Sequence, residues 1–137
     1  MWWIYALLSA LFAALTAIFA KIGIKNVDTD LATAVRTVVV LILAWTIAFF
    51  RGGTNSLTSL TKQNITFLIL SGIVTGLSWV FYFKALQLGK ISQVAPIDKL
   101  SVALAIVFSI IFLGETLTLK TAIGAICIIA GTIIIIL

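Results

Sequence analysis

The sequence predicts an all-α integral membrane protein, a bundle of five transmembrane helices. Of the 137 residues, 63% are hydrophobic and only 9% are charged, whereas soluble domains carry roughly a quarter charged residues. A water-soluble fold could not cover so much apolar surface, so the excess must face lipid. Five separate runs in the sequence have the about 20 mostly apolar residues that one membrane-spanning helix needs.

The first predicted span covers residues 3–21. Its start carries Trp2, Trp3 and Tyr5, which are typical of a membrane interface, and it lacks the basic start of a signal peptide. The remaining spans are predicted at residues 31–50, 65–86, 95–113 and 119–137. We expect all five to form one transmembrane domain over residues 1–137.

Two residues mark the predicted limits of the fourth span. Pro96 suits the first turn of a helix, because its missing N–H has no intrahelical partner there. Gly114 suits the C-terminal end of the same helix, where a left-handed backbone conformation is common.

The composition also excludes function classes. The chain has no histidine, and Cys127 is its only cysteine. This removes histidine-based acid–base catalysis and zinc sites with histidine or paired cysteine ligands. We therefore expect a protein that is not an enzyme and holds no metal or cofactor. The positive charges are scattered, so the calculated pI of 9.7 indicates contact with membrane lipid and does not indicate nucleic acid.

Basic residues in the predicted loops are balanced between the two membrane faces. The positive-inside rule acts mainly through such loop charges, so this balance gives a weak preference for either orientation. A protein that inserts in both orientations needs that property. The residues on one face are Lys21, Lys25 and Lys90, and those on the other are Arg51, Lys62 and Lys120.

Hydroxyl and aromatic side chains follow single faces of the first, third and fourth predicted helices at helical spacing. We expect these faces to turn toward a shared substrate cavity with aromatic walls. In the alternative interpretation, each hydroxyl bonds to the backbone of its own helix and lines no cavity. The predicted cavity residues are Ser9, Thr16, Ser71, Thr75, Ser78, Trp79, Tyr82 and Ser101.

Charged residues inside the spans are the second group of candidates, because a charge in the bilayer is costly and usually functional. We predict that Asp98 groups with Lys84 or Arg36 as a gate at the cavity mouth, while Lys99 serves a different contact. Alternatively, Asp98 caps a helix N-terminus and the long cations reach the membrane surface. Small residues that allow close helix packing are predicted at Gly72, Gly76, Gly124 and Gly131.

Several short motifs in this order resemble one EamA domain of the drug/metabolite transporter superfamily, of the five-helix, half-size type. Residues 19–23 (FAKIG) end the first helix and Arg36 lies early in the second. Residues 82–89 (YFKALQLG) close the third helix, 95–101 (APIDKLS) open the fourth, and 112–115 (FLGE) end it. The resemblance covers nearly the whole chain.

The resemblance implies one half of an inverted-repeat transporter that moves small organic metabolites by alternating access. A lone half would pair with an inverted copy as an antiparallel homodimer, or with a sister five-helix protein, in a bacterial or archaeal plasma membrane. The chain departs from the related small multidrug resistance proteins, which carry an acidic residue in their first helix, since no acid precedes Asp28. A flippase for lipid-linked headgroups and an accessory subunit of a larger membrane complex are the alternatives.

Overall fold

Helices account for almost all of the chain, and the computed structural model describes residues 1–137. The α-helices are α1 (Trp2–Gly23), α2 (Thr29–Phe50), α3 (Lys62–Leu88), α4 (Ile91–Asp98), α5 (Leu100–Leu113) and α6 (Leu119–Ile136), and one 3-10 helix covers Gly53–Ser59. Five segments are long and apolar enough to cross a membrane, with α4 and α5 together forming the fourth, Ile91–Leu113. The all-α fold with five membrane-spanning segments is thereby confirmed.

The chain forms two compact units. One contains Met1–Ile18 and Leu88–Leu137, and the other contains Phe19–Gln87. We call the first the terminal unit and the second the central unit.

In the central unit, α2 begins with a side-chain cap. The carboxylate of Asp28 accepts hydrogen bonds from the backbone N–H groups of Asp30 and Leu31, at 2.9 and 3.0 Å. These N–H groups have no partner within the helix, and an anion there also interacts favourably with the helix dipole. The aspartate therefore fixes where the second span starts.

The segment between α2 and α3 folds back against the end of α2. Gly52 adopts a left-handed conformation with φ 72° and starts the 3-10 helix. The turn leaves a groove of about 270 Å³ whose lining includes Trp45, Ala48 and Leu57.

In the terminal unit, the fourth span is broken. α4 begins at Ile91, so Pro96 is the sixth residue of that helix and does not lie in its first turn as predicted. Inside a helix, a proline removes one backbone hydrogen bond and its ring crowds the preceding turn. The helix accordingly stops at Asp98 and restarts at Leu100, with Lys99 between. The prediction for Gly114 is confirmed, since it ends α5 with φ 69°.

A threonine of α6 forms a hydrogen bond to the backbone at this break. The hydroxyl of Thr132 lies 3.2 Å from the carbonyl oxygen of Pro96 and 2.8 Å from that of Ile128 in its own helix. Thr132 is buried, with 4% of its surface exposed. The carbonyl oxygen of Pro96 also accepts from the backbone N–H of Lys99 at 3.1 Å, so Thr132 adds a second donor and joins α6 to the broken span.

Replacing Thr132 with valine keeps the shape of the side chain but removes its hydroxyl. We expect Thr132→Val to lower the free energy of unfolding by about 0.5–1.5 kcal/mol, the usual net value of one hydrogen bond. Unfolding in mixed detergent–SDS micelles measures the change. The control is Thr66→Val, because the hydroxyl of Thr66 bonds to Lys62 of its own helix and is exposed. Equal losses in the two variants would contradict the assignment.

Candidate functional site

A cluster of one cation and three aromatic rings joins α2 to α3 in the central unit. The guanidinium carbon of Arg36 lies 4.4 Å from the ring centroid of Trp79 and 5.0 Å from that of Phe83. The ring centroid of Tyr82 lies 6.0 Å from that of Phe83. We call these four residues the Arg36 cluster.

Helical spacing explains how α3 builds the cluster. Trp79 and Phe83 are four residues apart, so they lie one above the other on one face of the helix. Phe83 is fully buried, with 1% of its surface exposed, while Arg36 and Trp79 are half-buried. A guanidinium within about 6 Å of a ring centroid is attracted by the negative face of the ring. Two such rings hold the charge of Arg36 within an otherwise apolar span.

The predicted hydroxyl row of α3 is largely uncovered. Ser71, Thr75 and Ser78 are exposed, whereas Trp79 and Tyr82 are half-buried. Thr75 donates to the carbonyl oxygen of Ser71 at 2.8 Å, so for this residue the alternative of a bond to its own helix holds. The row still places polar surface along a membrane-spanning helix, beside the Arg36 cluster.

The glycines of α3 leave open space on the same face as the two rings. Gly72 and Gly76 precede Trp79 at helical spacing, and a Cβ atom added to either would meet no atom within 4 Å. The face is therefore open for at least two turns beyond the Arg36 cluster. The glycines of α6, Gly124 and Gly131, are equally open.

Polar side chains join the C-terminal ends of α1 and α3. Lys21 donates from Nζ to the carbonyl oxygen of Leu86, and Gln87 donates from Nε2 to those of Val27 and Ile24, at 2.9 and 3.3 Å. The carbonyl of Leu86 lies in the last turn of α3, and those of Ile24 and Val27 belong to the turn that follows α1. The bonds therefore tie the end of α3 to that turn.

A cavity of about 630 Å³ lies beside these bonds, and Lys21, Lys25, Asn26 and Gln87 contribute to its lining. The sequence reasoning missed Gln87. A long amide side chain at the end of an apolar helix was the signal that could have pointed to it.

The remaining candidates lie in the terminal unit. Ser9 and Ser101 are exposed and Thr16 is half-buried. Asp98 forms an ion pair with Lys99 across 3.3 Å, with 36% and 57% of the two side chains exposed. The expectation that Lys99 serves a different contact was therefore wrong. The break in the helix at Lys99, together with the length of its side chain, lets the two neighbours meet.

The larger arrangements expected from the sequence stay predictions. These are the cavity shared by three helices and the gate formed by Asp98 with Lys84 or Arg36. Lys84 is exposed. Within the central unit the structure brings together Arg36 and two of the predicted cavity residues, Trp79 and Tyr82, and it adds Phe83, which the prediction left out.

Comparison with known proteins agrees with this architecture. The sequence profile of the EamA-like transporter family matches residues 1–137. The chain is 44% identical over 133 residues to an uncharacterized transporter encoded in the region 3′ of cobO in a Sinorhizobium species, covering 97% of this chain and 94% of the relative.

A second relative, an uncharacterized protein of Methanocaldococcus jannaschii, is 38% identical over 76 residues, which is 55% of this chain and 56% of the relative. No solved structure matches the chain significantly. The family match over the whole length, the 44% identity and the five spans lead to one conclusion: this chain belongs to the EamA-like transporter family and is an integral membrane transporter.

Proposed function

We propose that this protein exports or exchanges small organic metabolites by alternating access, as an antiparallel homodimer in the plasma membrane of a bacterial or archaeal cell. The observation that carries the proposal is the polar and open face of α3. Ser71 and Ser78 are exposed on a membrane-spanning helix, and a Cβ atom added to Gly72 or Gly76 beside them would meet no atom within 4 Å. A hydroxyl row of this kind is best satisfied by water and substrate in a cavity.

An odd number of spans supports an inverted partner. With five spans the two chain ends lie on opposite sides of the membrane, so a second unit fused in tandem would be inverted. Inverted repeats around a midplane site are a common basis of alternating access. A separate unit reaches the same arrangement when a second copy inserts the other way round and pairs about a two-fold axis in the membrane plane.

Insertion in both orientations is the first prediction of this proposal. One reporter is active only in the cytoplasm and the other only outside the cell. When each is fused separately to the C-terminus, both fusions should give signal. Positive charge in short loops biases orientation. Thr58→Lys adds it on the side of Arg51 and Lys62, and Ser92→Lys adds it on the side of Lys90. Both positions are exposed, so neither lysine disturbs packing.

We expect the two lysine variants to shift the reporter ratio in opposite directions. Signal from one reporter alone, unchanged by either variant, would exclude a homodimer of opposed copies. A sister five-helix protein would then be required as the partner.

The second prediction concerns the packing of the dimer. Gly124 and Gly131 are seven residues apart, which places both on one face of α6, and the space beside them is open. We expect Gly124→Leu combined with Gly131→Leu to weaken dimerisation about tenfold, which corresponds to ~1.4 kcal/mol. The added side chains would prevent the close backbone approach that small residues permit.

Single-molecule photobleaching in liposomes over a range of protein-to-lipid ratios measures this equilibrium. Leucine favours a helix more than glycine does, and a Cβ atom added at either position would meet no atom within 4 Å, so the variant monomer should keep its fold. Gly23→Leu, also in open space but at the end of α1, is the control and should dimerise normally. A dimer fraction that is the same in all three proteins would show that α6 is not the contact.

A further inference from the structure

Arg36 has the properties of a group that recognises an anion. It lies seven residues inside α2, about 10 Å from the start of the helix at 1.5 Å per residue. The rings of Trp79 and Phe83 lie at 4.4 and 5.0 Å from its guanidinium carbon. Rings attract the flat face of a guanidinium, but they leave its five N–H donors, which point outward in the plane, in need of oxygen acceptors.

The acids of the central unit do not supply those acceptors. The carboxylate of Asp28 caps the start of α2. Asp30, the other acid of this unit, precedes Arg36 by six residues, about 9 Å along the axis and ~240° around it. Within the central unit, the cation is therefore stabilised by rings and is not neutralised by a carboxylate.

Space for a ligand adjoins the cation. The face of α3 that carries Trp79 and Phe83 continues through Gly76 and Gly72, where an added Cβ atom would meet nothing within 4 Å. The exposed hydroxyl of Ser78 lies on the next row of the same helix. A molecule with its anionic end at Arg36 could lay an apolar body along the glycine face.

We propose that Arg36, held on Trp79 and Phe83, binds the carboxylate of the transported substrate, so that the substrate is a small organic acid. A guanidinium matches a carboxylate with two parallel hydrogen bonds, and one positive charge neutralises one negative charge. A phosphate ester carries about −1.5 to −2 at neutral pH, which would leave uncompensated negative charge in the span. The proposal rests on the proposed transport function for its physiological meaning, but the binding that it predicts is measurable without transport.

Chemical protection of Arg36 tests the proposal on the unmodified protein. Butane-2,3-dione reacts with arginine, and Arg36 and Arg51 are the two arginines of the chain. We expect phenylacetate and hexanoate to slow modification of Arg36 at least threefold in phosphatidylcholine nanodiscs, as measured by peptide mass spectrometry. Phenylacetamide and hexanamide, which lack the charge, should give no protection, and Arg51 should react equally in every sample.

Two further ligands test whether Arg36 binds a phosphate group instead of a carboxylate. If phenyl phosphate or added phosphatidylglycerol protects Arg36 while both carboxylates fail, then Arg36 binds phosphate groups, and the proposal is overturned. If no ligand protects Arg36 more than the amides do, the arginine only anchors the helix, and the proposal is equally overturned.

Substitutions test whether carboxylate binding depends on the guanidinium group of Arg36. Equilibrium binding of radiolabelled phenylacetate to the purified dimer should weaken about tenfold in Arg36→Lys, which keeps the charge but loses the paired geometry. Arg36→Gln should abolish it. Arg51→Gln is the matched control, since it removes the other arginine of the chain, which follows the C-terminus of α2, and should bind as the wild type does. Undiminished binding in both Arg36 variants would contradict the proposal.

Transport measurements distinguish failure of this inference from failure of the proposed function. If phenylacetate binding depends on Arg36 but phenylacetate does not enter proteoliposomes, the anion site is supported and the proposed transport function is contradicted. If neutral or cationic metabolites are taken up and Arg36→Gln does not change their uptake, the transport function is supported and the proposal that the substrate is an organic acid is contradicted.

Discussion

The constraint on which the site depends is the cost of a positive charge within an apolar helix. In lipid, each polar group must be satisfied by protein, by ligand or by water in a cavity. Arg36 meets this requirement partly through the rings of Trp79 and Phe83. That contact joins α2 to the last turns of α3 and fixes which face of α3 carries the charge. The glycines and hydroxyls that precede these rings on α3 are therefore placed next to a cation, a position that suits an anionic ligand.

The same constraint explains the broken fourth span. A proline inside a membrane helix leaves backbone carbonyl groups without their usual partners. The buried hydroxyl of Thr132 donates to the carbonyl of Pro96, which also accepts from the N–H of Lys99, so α6 adds a polar contact at the interruption between α4 and α5. Discontinuous helices with satisfied backbone groups are a recurrent feature of transporters. The ion pair of Asp98 with Lys99 at the break is partly exposed and is expected to contribute little to stability.

The length of each apolar run in the sequence predicted the five spans well, because the thickness of the bilayer sets the length that a spanning helix needs. Helix ends were less predictable. α4 starts at Ile91 because Ser92 and Gln93 are compatible with a helix, although they fall outside the apolar run that predicted a start at residue 95. A helix can extend beyond the hydrocarbon, so a change in hydropathy does not mark where the backbone stops being helical.

Side-chain partners between helices were the least predictable part of the site. The helical spacing of Trp79 and Phe83 is visible in the sequence, but the register of α2 against α3, which brings Arg36 onto these rings, is not. The sequence suggested Asp98 as the partner of Lys84 or Arg36, and that pairing stays a prediction. Cation–π contacts satisfy the same charge without an acid and leave no comparable pattern in the composition.

The central claim is that the hydroxyl face of α3 lines a water-filled cavity and does not face lipid. The reactivity of an introduced thiol tests it most directly, because a charged methanethiosulfonate reagent attacks the thiolate, which forms in water and not in hydrocarbon. The experiment uses Ser78→Cys in a Cys127→Ala background, in proteoliposomes, and compares it with Ile73→Cys. Ile73 is similarly exposed but lies ~140° around the helix. The account predicts that residue 78 reacts at least tenfold faster than residue 73, and equal, slow reaction at both positions would contradict it.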